Sequence, residues 1–206
     1  MNQGGPKRLV CVVEGHGEVE AVPALCAKIK DYLVAWTWIV DPQPIRQPRS
    51  SLVDEVGTSP LRLAQREGLE RVLGLAAKRP ADGVLVLCDA DDDCAATWGP
   101  SAQAIVSSRV RGATVMVVRE YEAWLLASAY GRASLGGRPI DQIRDAKKRM
   151  TTVKAGYKPT VHQLELTQTI DVAKLRELSA SFDKLVRSLA KIFDAVDPRP
   201  SAAASS

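Results

Sequence analysis

The sequence predicts an α/β protein: a parallel sheet of about four strands flanked by helices, with a C-terminal helical extension. Three observations predict it. Short stretches that are apolar almost throughout, at 8–13, 83–88 and 114–118, look like strands covered on both faces. Segments of helical periodicity separate them, as in βαβ units. After Gly131 the strand signal ends, and the remainder is helical and basic.

Taken in order, residues 8–13 form a first strand that stops abruptly at Glu14-Gly15. Residues 18–33 follow as a helix, with Val22, Leu25, Cys26, Ile29 and Leu33 near one face. A second strand is expected over 35–40, with Trp36 and Trp38 on one face and in the core. Pro42, Pro44, Pro48 and Pro60 then mark a loop. Leu69, Val72, Leu73 and Ala76 give a helix over 61–78 its apolar stripe. The strand 83–88 is broken by the acids from Asp89 to Asp93. A helix over 101–110, a strand over 114–118 and an apolar helix over 121–129 complete a core spanning 1–131. Helices over 140–150 and 181–196, around a loop at Tyr157-Lys158-Pro159, make a basic extension over 132–197. The Pro/Ala/Ser-rich end, 198–206, reads as a disordered tail.

Composition excludes several classes. With 206 residues the chain can bury a core without disulfides or a structural metal. A hydrophobic share of 46% and a charged share of 25% exclude wholesale disorder, collagen and a coiled coil. No apolar run approaches the roughly 20 residues that span a bilayer, and residues 1–7 carry no secretory signal, so no membrane partner is expected. Cys11, Cys26, Cys88 and Cys94 lack paired C-x-x-C spacing. They read as small buried hydrophobes in a reducing compartment, and a cytoplasmic location is expected.

The net charge of +4 hides an asymmetry. Residues 1–131 hold 14 Lys/Arg against 16 Asp/Glu, whereas residues 132–206 hold 14 against 8. An acidic front and a basic back suit a metal-assisted enzyme acting on a phosphate polymer. A solvated basic helical surface explains the second half equally well.

The strongest chemical signal is where the carboxylates fall. Glu14 ends the first strand, Asp89 and Asp91 end a later one, and Glu120 and Glu122 follow the last. Ligands of parallel α/β sheets bind outside the carboxyl ends of the strands, so these acids point at one edge. Clustered carboxylates repel unless a cation intervenes, and oxygen-rich clusters suit Mg²⁺ or Mn²⁺. Helix starts offer the same acids an ordinary structural role. Glu18, four residues after Glu14, fits either a ligand or a dipole partner. Asp92 and Asp93 read as solvated or capping, and Glu122 as the inward member of its pair.

Competing motifs fail on detail. Gly15-His16-Gly17 begins like a dinucleotide fingerprint, but Glu20 replaces the third glycine. Asp89 to Asp93 begins like an EF-hand loop, but Cys94 and Pro100 occupy its glycine and glutamate positions. An Asp-x-Asp of the glycosyltransferase kind stays open. His16 and His162 form no zinc set, and His16 reads as a solvated loop residue.

Val12-Val13-Glu14-Gly15 and Leu87-Cys88-Asp89-Ala90-Asp91, in this order and strand context, resemble the Toprim domain. Glu14-Gly15-x-x-Glu18 looks most like the OLD-type Toprim nucleases. The segments Glu120-Tyr121-Glu122-Ala123-Trp124-Leu125-Leu126-Ala127, Tyr157-Lys158-Pro159 and Ser179 to Phe182 resemble an uncharacterised bacterial family of small stand-alone Toprim-like proteins, often encoded beside ATPases in settings suggestive of phage defence. The resemblance covers residues 8–193. It implies a Toprim-like, Rossmann-like core. It also implies a catalytic metal held by Glu14, Asp89 and Asp91, with Glu14 able to shuttle a proton. Glu18 and Glu122 would complete a second metal position. A lysine near the metals, Lys147 or Lys158, would steady transition-state charge; backbone-phosphate contact or solubility explains these lysines as well. One departure is the interval of 75 residues from Glu14 to Asp89, longer than in compact Toprim domains, which makes the proline-rich loop an insertion over the site.

The expected activity is therefore a Mg²⁺- or Mn²⁺-dependent nuclease acting on DNA, with an ATPase partner in a defence system. A non-catalytic nucleic-acid-binding or regulatory subunit of an ATPase complex is the alternative. Metal-dependent phosphotransfer on a nucleotide or nucleotide sugar is a third.

Overall fold

The computed structural model describes residues 5–54, 63–90, 93–131 and 135–198. Along the chain run β1 (Lys7–Val13), α1 (Glu18–Tyr32), β2 (Trp38–Val40), β3 (Ile45–Arg46), β4 (Val53–Asp54), β5 (Leu63–Ala64), α2 (Arg66–Ala77) and β6 (Gly83–Asp89). Then come α3 (Ala95–Ser107), β7 (Gly112–Val117), α4 (Tyr121–Tyr130), α5 (Ala146–Val153), α6 (Pro159–Gln168), α7 (Val172–Leu178) and α8 (Ala180–Phe193).

The fold is α/β. A parallel sheet runs in the order β2-β1-β6-β7, and β3 pairs with the far half of β1 on the same edge as β2. A separate antiparallel pair joins β4 to β5. Alternate residues of the central strands feed two cores, as a period of two requires. Leu9, Cys11, Val13, Leu85 and Leu87 meet α1, α4 and α8 on one face. Val10, Val12, Val84, Val86 and Cys88 meet α2 and α3 on the other. Both faces are dry, which explains why β1 and β6 are apolar without alternation. Side chains of α5 to α8 join the first core, and α8 lies directly on β6 and β7.

Several elements differ from the sequence expectation, each for a local reason. The second strand is only Trp38–Val40, because Val34 takes a positive φ of 55° and residues 36–37 are still turning. The two tryptophans therefore do not share a face. Trp38 is buried and its Nε1 donates to the Phe193 carbonyl at 3.1 Å, whereas Trp36 is 65% exposed under the Lys30 ammonium. The helix expected over 101–110 begins at Ala95, ahead of Pro100. The one expected over 140–150 is interrupted: a single 3-10 turn at Ile140–Gln142, then Asp145 at φ 56°, then α5. Helices α6 and α7 carry no clear apolar stripe and were not expected, although Pro159 opens α6 at its first turn and Asp171 caps α7 by accepting from the Lys174 N–H. Residues 199–206, most of the expected tail, lie outside the described residues, as do Leu61 and Arg62 of the expected second helix.

Strand β7 ends the sheet, and the side-chain amide of Gln103 lies along its outer edge. Gln103 Nε2 donates to the Gly112 carbonyl at 2.9 Å, and Gln103 Oε1 accepts from the Thr114 N–H at 2.9 Å. Among the described residues, no helix is long and apolar enough to cross a membrane.

Candidate functional site

The order β2-β1-β6-β7 places a topological switch between β1 and β6, since the chain leaves these neighbouring strands towards opposite edges. Such a point opens a crevice outside the carboxyl ends of the two strands. Val12 pairs with Val86, and continuing that register brings Glu14 level with Cys88, next to Asp89. A cavity of about 450 Å³ lies there, lined by Glu14, Glu18, Asp89, Glu120, Glu122 and Lys147, among others.

The loop from β1 to α1 turns back on itself. Glu18, the first residue of α1, is buried, and its Oε2 accepts the backbone N–H groups of Glu14 at 3.1 Å and Gly15 at 3.2 Å. These two amides belong to the loop ahead of α1, so Glu18 has a structural role in fixing that turn. It does not use the whole group: burial, opposed by those two bonds and reinforced by the charges of Glu14 and Glu122, pushes its carboxyl up from 4.5 to about 7. Gly17 is needed for close approach rather than for its backbone angle. A Cβ there would sit 2.2 Å from Gln163 Oε1 and 2.7 Å from Pro159 Cβ, where α6 crosses the loop. Gly17→Ala is expected to push α6 away and lower stability by roughly 1–3 kcal/mol, read as a fall in melting temperature.

Asp89 is half-buried, and its Oδ1 accepts the Tyr121 N–H at 3.0 Å, tying the end of β6 to the start of α4. Glu120 caps the next helix along, accepting the Lys147 N–H at 2.9 Å through Oε2. Glu122 is buried, as expected of the inward residue, and its Oε1 accepts from Tyr157 Oη and from Gln163 Nε2, both at 3.1 Å. Burial raises the Glu122 pKa, partly offset by its backbone and by Tyr157. Both Glu120 and Glu122 line the cavity. Lys147 does too, while Lys158 sits just before α6 and outside the lining. His16 is exposed at the mouth.

Arg49, which the sequence did not single out, arrives from the proline-rich segment. Its Nη1 lies 3.3 Å from Glu14 Oε2 and donates to the Asp89 carbonyl at 2.6 Å. Its Nη2 donates to the Ala90 carbonyl at 3.3 Å and pairs with Asp93 Oδ2. Asp93 is thus an ion-pair partner rather than a solvated or capping acid. The segment does lie against the site, but no spacing in the sequence distinguishes Arg49 from other loop arginines.

The chain therefore brings Glu14, Glu18, Asp89, Glu122 and Lys147 to one cleft. Asp91 lies outside the described residues. Among the described residues, no three His, Cys, Asp or Glu side chains already converge as a ligand set. The donor chemistry still fits a hard divalent cation. The titratable lining is dominated by carboxylates, and the buried amide oxygen of Gln163 beside them has no hydrogen-bond partner. The electrostatics give a direct check. The raised Glu18 pKa means that its contribution to stability is intact below about 4.5 and is lost as pH rises through about 7. Glu18→Gln keeps an oxygen to accept the two N–H groups and removes the charge. In chelator it is expected to be more stable than the parent at pH 8, by on the order of 3 kcal/mol, with no such gap at pH 4. Melting curves at the two pH values test this; a gap independent of pH would refute it.

A family model described as a domain of unknown function, DUF4276, matches residues 13–190. No curated protein and no solved structure matches the chain.

Proposed function

We propose that this chain, which belongs to the DUF4276 family, is a Mg²⁺- or Mn²⁺-dependent nuclease that hydrolyses phosphodiester bonds in DNA. The observation that carries this reading is the convergence of strand-end acids. Glu14 and Asp89, from adjacent strands at the switch point, share one cleft with Glu18, Glu122 and Lys147. The Toprim resemblance belongs to this reading, as it rests on Glu14 after one strand and on Asp89, the last residue of the strand paired with it, followed in sequence by Ala90-Asp91.

Glu14, Asp89 and Asp91 would hold the catalytic cation, and Glu18 and Glu122 a second position. A bound divalent cation supplies a nucleophilic water at neutral pH and a clamp on the phosphoryl oxygens. The chain's own groups do the rest. The Tyr121 N–H fixes one oxygen of Asp89, which sets the direction of the other. Tyr157 and Gln163 hold Glu122 in the same way. The Lys147 ammonium, on a helix start anchored by Glu120, is a cation at the cleft for charge developing on phosphate. The test is cleavage of supercoiled plasmid in Mg²⁺ or Mn²⁺ by the parent chain beside Asp89→Asn.

One observation favours the alternative, a non-catalytic nucleic-acid-binding or regulatory subunit of an ATPase complex: Arg49 already neutralises Glu14 within the protein. Salt-dependent DNA binding that survives Asp89→Asn, without turnover by the parent chain alone or with its ATPase partner, would decide for it.

A further inference from the structure

Gln163 is 97% buried in α6 and lines the cleft. Its two amide atoms have different fates. Nε2 donates to Glu122 Oε1 at 3.1 Å. Oε1 is sealed from solvent and accepts no hydrogen bond. It faces the glycine loop, 2.2 Å from where a Gly17 Cβ would be. Leaving a buried acceptor without a donor is costly, and native proteins rarely do so. Here the neighbouring polar side chains do not supply the missing partner. Glu122 already receives the amide hydrogen, and Glu18, the residue after Gly17, is itself an acceptor, taking the Glu14 and Gly15 amides through Oε2. A buried acceptor in a cleft lined largely by carboxylates is satisfied by a positive charge, and amide oxygens are ordinary ligands for hard divalent cations.

We infer that Gln163 Oε1 is a ligand of the divalent cation, completing an inner position with Glu18 and Glu122 across the glycine loop. The inference rests on the metal-dependent reading above. It adds to it a neutral ligand from the C-terminal helices, so that the cation would clasp α6 to the start of α1. Gly17 then has a second reason to lack a side chain: a Cβ would occupy the space through which Oε1 reaches the loop.

The test is Mn²⁺ binding to the full chain by titration calorimetry, with the parent beside Gln163→Leu, Gln163→Glu and Asp89→Asn. The ligand role predicts that Gln163→Leu weakens Mn²⁺ binding roughly tenfold or more. It also predicts that Gln163→Glu binds at least as tightly as the parent, while melting lower in chelator because two carboxylates then face each other. Equal Mn²⁺ affinity in Gln163→Leu and the parent would overturn the inference and leave Oε1 to a structural water. Equal weakening in both Gln163 variants would also overturn it, assigning the effect to the lost Nε2 bond to Glu122. If Gln163→Leu does not fold, Gln163→Glu decides alone. Failure of the parent itself to bind Mn²⁺ would overturn the metal reading as well. Binding that Asp89→Asn weakens and Gln163→Leu leaves unchanged would overturn only the ligand role.

Discussion

Asp89→Asn is expected to abolish metal-dependent cleavage of supercoiled DNA, by at least roughly 10²–10³-fold, while the protein stays folded. The structure makes this variant cleaner than a truncation. Asp89 Oδ1 accepts the Tyr121 N–H, and asparagine keeps an oxygen in that place. What changes is the other oxygen, which loses its charge and turns into a donor. Asp89→Ala would also uncouple β6 from the start of α4, at a cost of about 1 kcal/mol. The measurement is a plasmid-nicking time course with matched melting curves. Retained cleavage by Asp89→Asn would sink the assignment of the acid cleft. Lost cleavage with an unchanged melting temperature would separate chemistry from folding.

Arg49→Ala is expected to destabilise the metal-free protein by roughly 2–4 kcal/mol, a fall of about 5–15 °C in melting temperature for a chain of this size. The arginine is only 19% exposed, and the Glu14 and Asp93 side chains it pairs with are 22% and 18% exposed, so the pairs are poorly screened. Removing it would take the guanidinium away from the Glu14 and Asp93 carboxylates and remove one donor each from the Asp89 and Ala90 carbonyls. Lysine should restore little, because one ammonium cannot reproduce the planar fork that meets four acceptors. Saturating Mg²⁺ should recover part of the loss, since a cation at Glu14 replaces the missing charge. A loss below 1 kcal/mol would mean that water screens the pairs as it does on an open surface.

The two central strands and the acids at their ends were legible because burial on both faces leaves an unbroken apolar run, and the run stops where the acids begin. Glu122 was legible as the inward acid for a related reason: it lies in the apolar segment Tyr121 to Ala127, which is buried throughout. Arg49 and Gln163 were not legible. Each acts through one long polar side chain that reaches an acid of the site from an element distant in sequence, and neither leaves a periodic trace. Gln163 is further hidden because α6 buries Gln163 and Thr167 where an apolar stripe would be expected. Trp36 shows the opposite error. Alternation implies a shared face only inside a strand, and the turn at Val34 delays the strand to Trp38, leaving Trp36 outside it.

The amide of Gln103 has a consequence for how this protein meets other chains. An open edge strand invites a foreign strand to add to it, by the same pairing that seeds aggregation. Here an invading backbone must first displace two hydrogen bonds at Gly112 and Thr114 before it gains any of its own. The side chain behaves as a one-residue dummy strand that stops the sheet from growing at that border. Assembly with a partner, or with a second copy, is thereby steered away from sheet extension along β7 and towards contacts between side chains.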